Sequence, residues 1–345
     1  MLIRLPFFIL LFSCLYACQP APQVTEVETV TMDTTAYPLV IPTGFPQPKI
    51  PANNQLTNAR VALGKKLFYE PILSLDSTIT CASCHILSKG MADNLRISPG
   101  VHGANGFRNP PTLTNVAYLD LVNKDGGVRK LGLQALVPIE DHDEMNVSIL
   151  EVSKRLNESP TYVEMAQRAY GRNPDPFVIS RALAAFQRTM ISGNSRYDQY
   201  HFQNDKNALT EQEKRGMELF FSEKLNCSAC HIGFNFTDNA FKNNGLYAEY
   251  EDQGRQRVTS KDEDNGLFRV PTLRNIALTF PYMHDGSVGT LEEVIEHYAS
   301  GGVGHRNQSE EIRDFKISQQ EKADVVAFLG TLTDSSFVNN SLFLP

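Results

Sequence analysis

Two short stretches, CASCHIL from Cys81 and CSACHIG from Cys227, hold four of the six cysteines in the chain. In each, a C-x-x-C pair is followed at once by a histidine, His85 or His231. A structural zinc would need a second ligand pair beside each C-x-x-C. A redox dithiol has no use for the histidine. C-x-x-C-H is the spacing at which two thiols add to the vinyl groups of a c-type haem, with the adjacent histidine on the iron. Two such motifs imply two covalent haems, with His85 and His231 as iron ligands. Zinc or redox dithiols are the rival reading.

A haem with one protein ligand has an open sixth position, and what fills it decides between electron transfer and catalysis. After the first motif, His102 lies in the glycine-rich loop SPGVHGANGF, as a removable sixth ligand or a plain surface histidine. Next comes GLQALVPIEDHDEMN, with Gln134 and Glu144. Peroxide cleavage needs a base that takes a proton from one peroxide oxygen and returns it to the leaving one. A nearby amide can steady the developing charge. Glu144 and Gln134 fit those jobs, although spacing alone favours a solvated acidic loop for EDHDE. After the second motif, TLRNIALTFPYMHDGSVGTLEEVIEHYASGG offers Met283, His284, His297 and Tyr298 as sixth ligands, and spacing does not rank them.

The elements that must position these groups occur twice. Leu56-Thr57 leads to Gly64, Leu67-Phe68 and then Cys81, as Leu209-Thr210 leads to Gly216, Leu219-Phe220 and then Cys227. Downstream, PTLTNVA from Pro111 mirrors PTLRNIA from Pro271. Each half closes on an amphipathic helix, Pro176 to Met190 with Phe177, Leu183 and Phe186, or Ser318 to Leu332 with Val325, Phe328 and Leu332. Thr210-x-x-Glu213 and Ser318-x-x-Glu321 are capping patterns, and a further helix begins near Thr290 with Glu292 and Glu293 in its first turn. The expected fold is mostly α: two tandem cytochrome c-like haem domains, over 51–200 and 201–345.

The chain of 345 residues has a net charge of −7 and no long basic run, which excludes a nucleic-acid surface. Residues 1–18, MLIRLPFFILLFSCLYAC, read as an export signal, with an apolar run too short to span a membrane. The ending Leu15-Tyr16-Ala17-Cys18 resembles a bacterial lipobox, which makes Cys18 an acylated anchor. Gln19 after it favours the outer membrane, by resemblance to bacterial lipoproteins. Residues 19–50 read as a tether and an extended lead-in. The location expected is the periplasm.

Seven segments then resemble one family: GKKLFYEPILSLDSTITCASCH, RNPPTLTN, QALVPIEDHDEM, SGNSRYD, CSACH, FRVPTLRNIALTFPYMHDG and LEEVIEHY. Over about residues 50–335 the chain resembles the bacterial di-haem cytochrome c peroxidases, including their MauG-like branch. The resemblance implies that Cys81, Cys84 and His85 hold the peroxidatic haem. It makes His102 a distal histidine that leaves when the other haem is reduced, Gln134 the distal amide and Glu144 the acid–base group. Cys227, Cys230 and His231 hold the electron-transfer haem. Asn109, Thr279 and the Pro281 carbonyl match an inter-domain calcium site.

Two positions depart from the classical pattern. Tyr298 stands where classical members carry a methionine on the electron-transfer haem, which resembles the His–Tyr ligation of the MauG-like branch. A phenolate should stabilise ferric iron and lower the potential. Met283, or a Tyr298 that only packs in the core, is the other reading. The family's tryptophan before an Asp-Gly is replaced by Lys124, and the chain has no tryptophan. Any relay between the haems would use Phe107 or Tyr118, or none.

The function expected is that of a cytochrome-c peroxidase, reducing hydrogen peroxide with electrons from a small c-type cytochrome or cupredoxin. A MauG-like oxidase acting on an organic or protein substrate is the second reading, and a non-enzymatic two-haem electron carrier the third. The resemblance also implies a homodimer.

Overall fold

The structure, a computed structural model, describes Leu2 and residues 30–345. The expected export signal apart from Leu2, with Cys14 and Cys18, and residues 19–29 of the expected tether lie outside the described residues. Residues 31–345 form one compact unit. It is mostly helical, with a single two-stranded antiparallel sheet, β1 (Phe241–Lys242) on β2 (Phe268–Arg269), among the described residues. Among those residues, no helix is long and apolar enough to cross a membrane.

Five helices carry the frame: α1 (Asn58–Phe68), α2 (Pro176–Gln187), α3 (Glu211–Phe220), α4 (Leu291–Ala299) and α5 (Gln319–Gly330). The side chains of Thr57, Thr210, Thr290 and Ser318 each cap a first turn, so the starts of α1, α3, α4 and α5 are set by local sequence. The last three close full capping boxes with Glu213, Glu293 and Glu321.

Each half then makes the same helix crossing. A Cβ on Gly64 of α1 would overlap the Ala182 carbonyl of α2, and one on Gly216 of α3 would overlap the Asp324 carbonyl of α5. Glycine lets the backbones touch there. Beside each crossing sits an aromatic pair, Phe68–Phe186 at 5.4 Å and Phe220–Phe328 at 5.2 Å between ring centroids.

Two large hydrophobic cores result, beside a small cluster of Val116, Val122, Leu131 and Ala184. One is built from residues between Leu56 and Met190, and the other from residues between Tyr197 and Leu332. The chain end returns to the first core through Phe337, Val338 and Phe343, where Lys65 and Tyr69 of the first half donate to the carbonyls of Leu344 and Phe343. The lead-in segment also packs, with Phe45 buried against Phe234 at 4.7 Å and Tyr118 at 6.2 Å. The α2 helix is buried nearly all round rather than amphipathic. Phe177, expected in its core face, is 38% exposed, with Arg181 lying 3.8 Å over its ring.

The halves are joined by a buried polar seam. Asn115 and Asn275 sit at equivalent places in the two PTL repeats, both left-handed, with φ of 59° and 60°. Asn115 bonds Ser192 and Asn235, and Asn275 bonds Ser192 and the backbone N–H of Asp334. Asp334 in turn accepts from Ser192, Gly193 and Asn194.

Candidate haem sites

The two C-x-x-C-H motifs have matching geometry. Cys81–Cys84 form one helical turn capped by Thr80, and Cys227–Ala229 a tighter turn before Cys230. None of the four forms a disulfide. Burial pushes Cys81 and Cys227 up to about 12 and Cys84 to about 11. The Nδ1 of His85 is 3.1 Å from the Met91 carbonyl oxygen, and the Nδ1 of His231 is 3.1 Å from that of Phe236. With Nδ1–H donating, Nε2 is left as the nitrogen for a metal. Burial lowers both imidazole pKa values, which favours the neutral ligand form. Adjacent thiols and a neutral, oriented imidazole are the donor set a covalent haem needs, so the residues present fit the group at both motifs.

Beyond the second motif lies a cavity of about 290 Å³. Cys227, Cys230 and His231 line it together with Tyr298, Met283 and His284. Tyr298 comes from the last turns of α4, and burial pushes its phenol up to about 12. Three of the four ligand candidates of this half thus reach the cavity. His297, one residue along the helix from Tyr298, turns away, with Nε2 2.9 Å from the Asn244 carbonyl oxygen. Met283 Sδ accepts from the Asn244 amide at 3.2 Å, and His284 stacks on Phe268 at 4.1 Å. The Asn244 side chain also acts on the Tyr298 hydroxyl, so these contacts do not rank the three. Asn244, which the sequence did not single out, organises this wall.

Around the first motif, Glu144 lies close enough for its charge to act on both Cys81 and Cys84. Burial, then the charges of Asp141 and Asp143, push its carboxyl up to about 7. By area Glu144 is exposed. The like charges of Asp141 and Asp143 therefore act on a carboxyl that water can reach. Gln134 ends a single helical turn, Leu131–Gln134, and is half-buried.

His102 is placed differently. Its side chain is 68% exposed, with Nδ1 3.6 Å from Asp76. Its φ of 57° is unusual for a residue with a Cβ. The loop that bears it docks on the Glu144 loop, where the Val101 N–H donates to the Glu144 carbonyl at 2.8 Å. Gly100 permits this, since a Cβ there would overlap the Asp143 carbonyl.

Asn109, Thr279 and Pro281 all line the C-terminal cavity. The Asn109 amide donates to the Leu95 carbonyl at 2.9 Å, which leaves its Oδ1 for other partners. Of the aromatic relay candidates, Phe107 is 52% exposed beside Arg108 and Arg257. Tyr118 packs on Phe45 and Phe234 and donates to the Pro46 carbonyl at 3.0 Å. The sequence reading missed Arg274, fully buried, which bonds Asp198 at 2.5 Å and the Phe234 carbonyl at 2.9 Å. It also gave Lys124 and Arg269 no role, and both line the cavity.

Residues 58–207 match the family model described as di-haem cytochrome c peroxidase. Over 95% of both chains the protein is 36% identical to the methylamine utilization protein MauG of Methylorubrum extorquens. It is 36% identical to the cytochrome c551 peroxidase of Nitrosomonas europaea over 80% of both chains. Among solved structures, a MauG-like protein associated with microbial copper homeostasis superposes with a TM-score of 0.84 at 34% identity. That match covers 89% of this chain and 99% of the other. The doubled haem-attachment motif, the mostly helical fold and these likenesses agree: the chain belongs to the di-haem cytochrome c peroxidase family, which includes MauG.

Proposed function

We propose that the protein reduces hydrogen peroxide to two water molecules, consuming two electrons and two protons. Cys81, Cys84 and His85 would hold one haem, and Cys227, Cys230 and His231 the other, each in its own cytochrome c-like domain, over 51–200 and 201–345. The haems supply redox-active iron. The observation that carries the reading is Glu144, beside Cys81 and Cys84, with a carboxyl pushed up to about 7. A group of that affinity can take a proton from one peroxide oxygen and give it to the leaving oxygen near neutral pH. Gln134 offers an amide to the developing charge. The exposed position of His102 supports its reading as a displaceable ligand in its displaced state, which would leave that iron open, with its loop as the moving part.

Electrons would come from a small c-type cytochrome or cupredoxin and enter at the C-terminal haem. Tyr298 supports a second reading, a MauG-like oxidase that spends the oxidising power of peroxide on an organic or protein substrate. Consumption of a reduced small cytochrome by peroxide separates the two. Asn109, Thr279 and Pro281 lining one cavity support an inter-domain calcium, since hard cations take oxygen ligands. Export to the periplasm, a Cys18 lipid anchor at the outer membrane and a homodimer complete the proposal. They rest on the leader sequence and the resemblance.

The test is Glu144→Gln, purified with both haems bound. Peroxide turnover should fall by about 10²–10⁴-fold, the usual size of an acid–base contribution. Turnover at the wild-type rate would remove Glu144 from the reaction.

A further inference from the structure

Among the described residues, no carboxylate forms an ion pair with two of the cations on the wall of the C-terminal cavity. Lys124 reaches it from the first half, and Arg269 from β2 in the second. They are tied together, since the Arg269 backbone N–H donates to the Lys124 carbonyl at 2.7 Å. Among the described residues, the Lys124 ammonium donates only to the Met283 carbonyl, at 3.3 Å. Arg269 makes one long contact through Nε, 3.5 Å to the Asn123 carbonyl.

The nearby acids are already engaged. Asp252 takes a two-pronged bond from Arg108, which also holds Asp125. Asp285 accepts from the Tyr247 hydroxyl. The other cations on the wall differ: Lys242 is paired with Glu311 and Asp238, and Arg313 is exposed. Burial, then Arg108 and Arg269, push the Lys124 ammonium down to about 7. Burial alone lowers Arg269 to about 10.

Unpaired buried cations are costly, and proteins keep them where a partner anion completes the site. A haem held by Cys227 and Cys230 would bring two carboxylates, its propionates, into the same space. We propose that Lys124 and Arg269 are the anion-binding wall of this cavity and pair with those propionates. The proposal rests on the two-haem reading above. The first half thereby supplies a charged contact to the haem of the second, held in place by the Arg108 bridge from Asp125 to Asp252.

The experiment uses holoprotein and the variants Lys124→Met and Lys124→Arg. Haem content is counted first, and one haem per chain in the wild type would defeat the two-haem reading rather than this one. Removing a cation beside a propionate favours ferric iron. Lys124→Met should therefore lower the reduction potential of the C-terminal haem by about 59 mV, a tenfold change in its ferric-to-ferrous ratio. That haem is identified by its response to Tyr298→Phe. Lys124→Arg should keep the wild-type potential but move the propionate bending band in resonance Raman spectra. Wild-type potential and band position in a fully loaded Lys124→Met would overturn the proposal. If Lys124→Met fails to load, an unmoved band in Lys124→Arg overturns it equally.

Discussion

The two halves share a frame, and one helix of that frame differs between them in a way that bears on the haem sites. Aligned so that Asn115 meets Asn275, VNKDGGV from Val122 meets YMHDGSV from Tyr282. The matches are structural as well. Val122 bridges to Val128 as Tyr282 does to Val288, and Gly126 and Gly286 turn with φ of 70° and 68°. Thr112 donates to the Gly90 carbonyl as Thr272 does to that of Asn235, each at 2.7 Å. Two residues later in each, a backbone N–H returns to that threonine oxygen.

The register then brings Pro138 opposite Tyr298. In the second half, Thr290 caps α4 and the helix runs unbroken from Leu291 to Ala299, delivering Tyr298 to the cavity. In the first, Lys130 gives no cap, and the helix splits into Leu131–Gln134 and Leu136–Glu140. Pro138 has no N–H to continue the ladder. It also offers no ligand atom. One duplicated frame thus carries a candidate ligand, Tyr298, on one side, and on the other a prolyl ring with Gln134 and Glu144 nearby. A duplication frees one copy to change its chemistry while the other keeps its own.

The largest effect should come from the shared frame. Gly64→Val and Gly216→Val each force a side chain into a backbone carbonyl, and each should cost about 3 kcal/mol or more. Denaturant unfolding measures both, and similar losses would show that the crossings are equivalent. Next is Tyr298→Met, which restores a thioether on one side only. The C-terminal haem should rise in potential by the order of 0.1 V, within the roughly 0.8 V that axial ligands span. An unchanged potential would make Tyr298 a packing residue.

A smaller effect concerns Glu144. The base form is the deprotonated one, so peroxide turnover should rise as pH increases through about 7. Asp141→Asn with Asp143→Asn removes two of the charges that raise its pKa. The profile should move down by on the order of one pH unit. A profile that stays in place would put its origin elsewhere. Smallest are Asn115→Ala and Asn275→Ala. Each leaves buried polar groups unpaired, at about 1–3 kcal/mol, and thermal unfolding should show nearly equal losses.

Much of the frame was legible because it is local. The capping patterns at Thr210 and Ser318 need only four consecutive residues and both formed, and the helix expected to begin near Thr290 opens on a third box. The haem motifs are local too, and so is the repeat. What local pattern left open needed the third dimension. Spacing did not rank Met283, His284, His297 and Tyr298. Neighbouring helix positions point about 100° apart, and that turn sends His297 to Asn244 while Tyr298 enters the cavity. Phe177 read as core from its type, but the start of α2 places it beneath Arg181. Lys124 and Arg269 come from distant segments, and each alone looks like a solvated charge. Their shared wall exists only once the hairpin of the first half meets β2 of the second.

In the reading proposed above, Tyr298 would take the second face of the C-terminal haem, while the displaced His102 would leave one face of the N-terminal haem open. Electron paramagnetic resonance of the fully oxidised holoprotein, before and after azide, tests it most directly. The expected result is that azide changes one ferric signal and leaves the other untouched, with both responding in Tyr298→Phe. Azide binding at both haems of the wild type, or at neither, would contradict it.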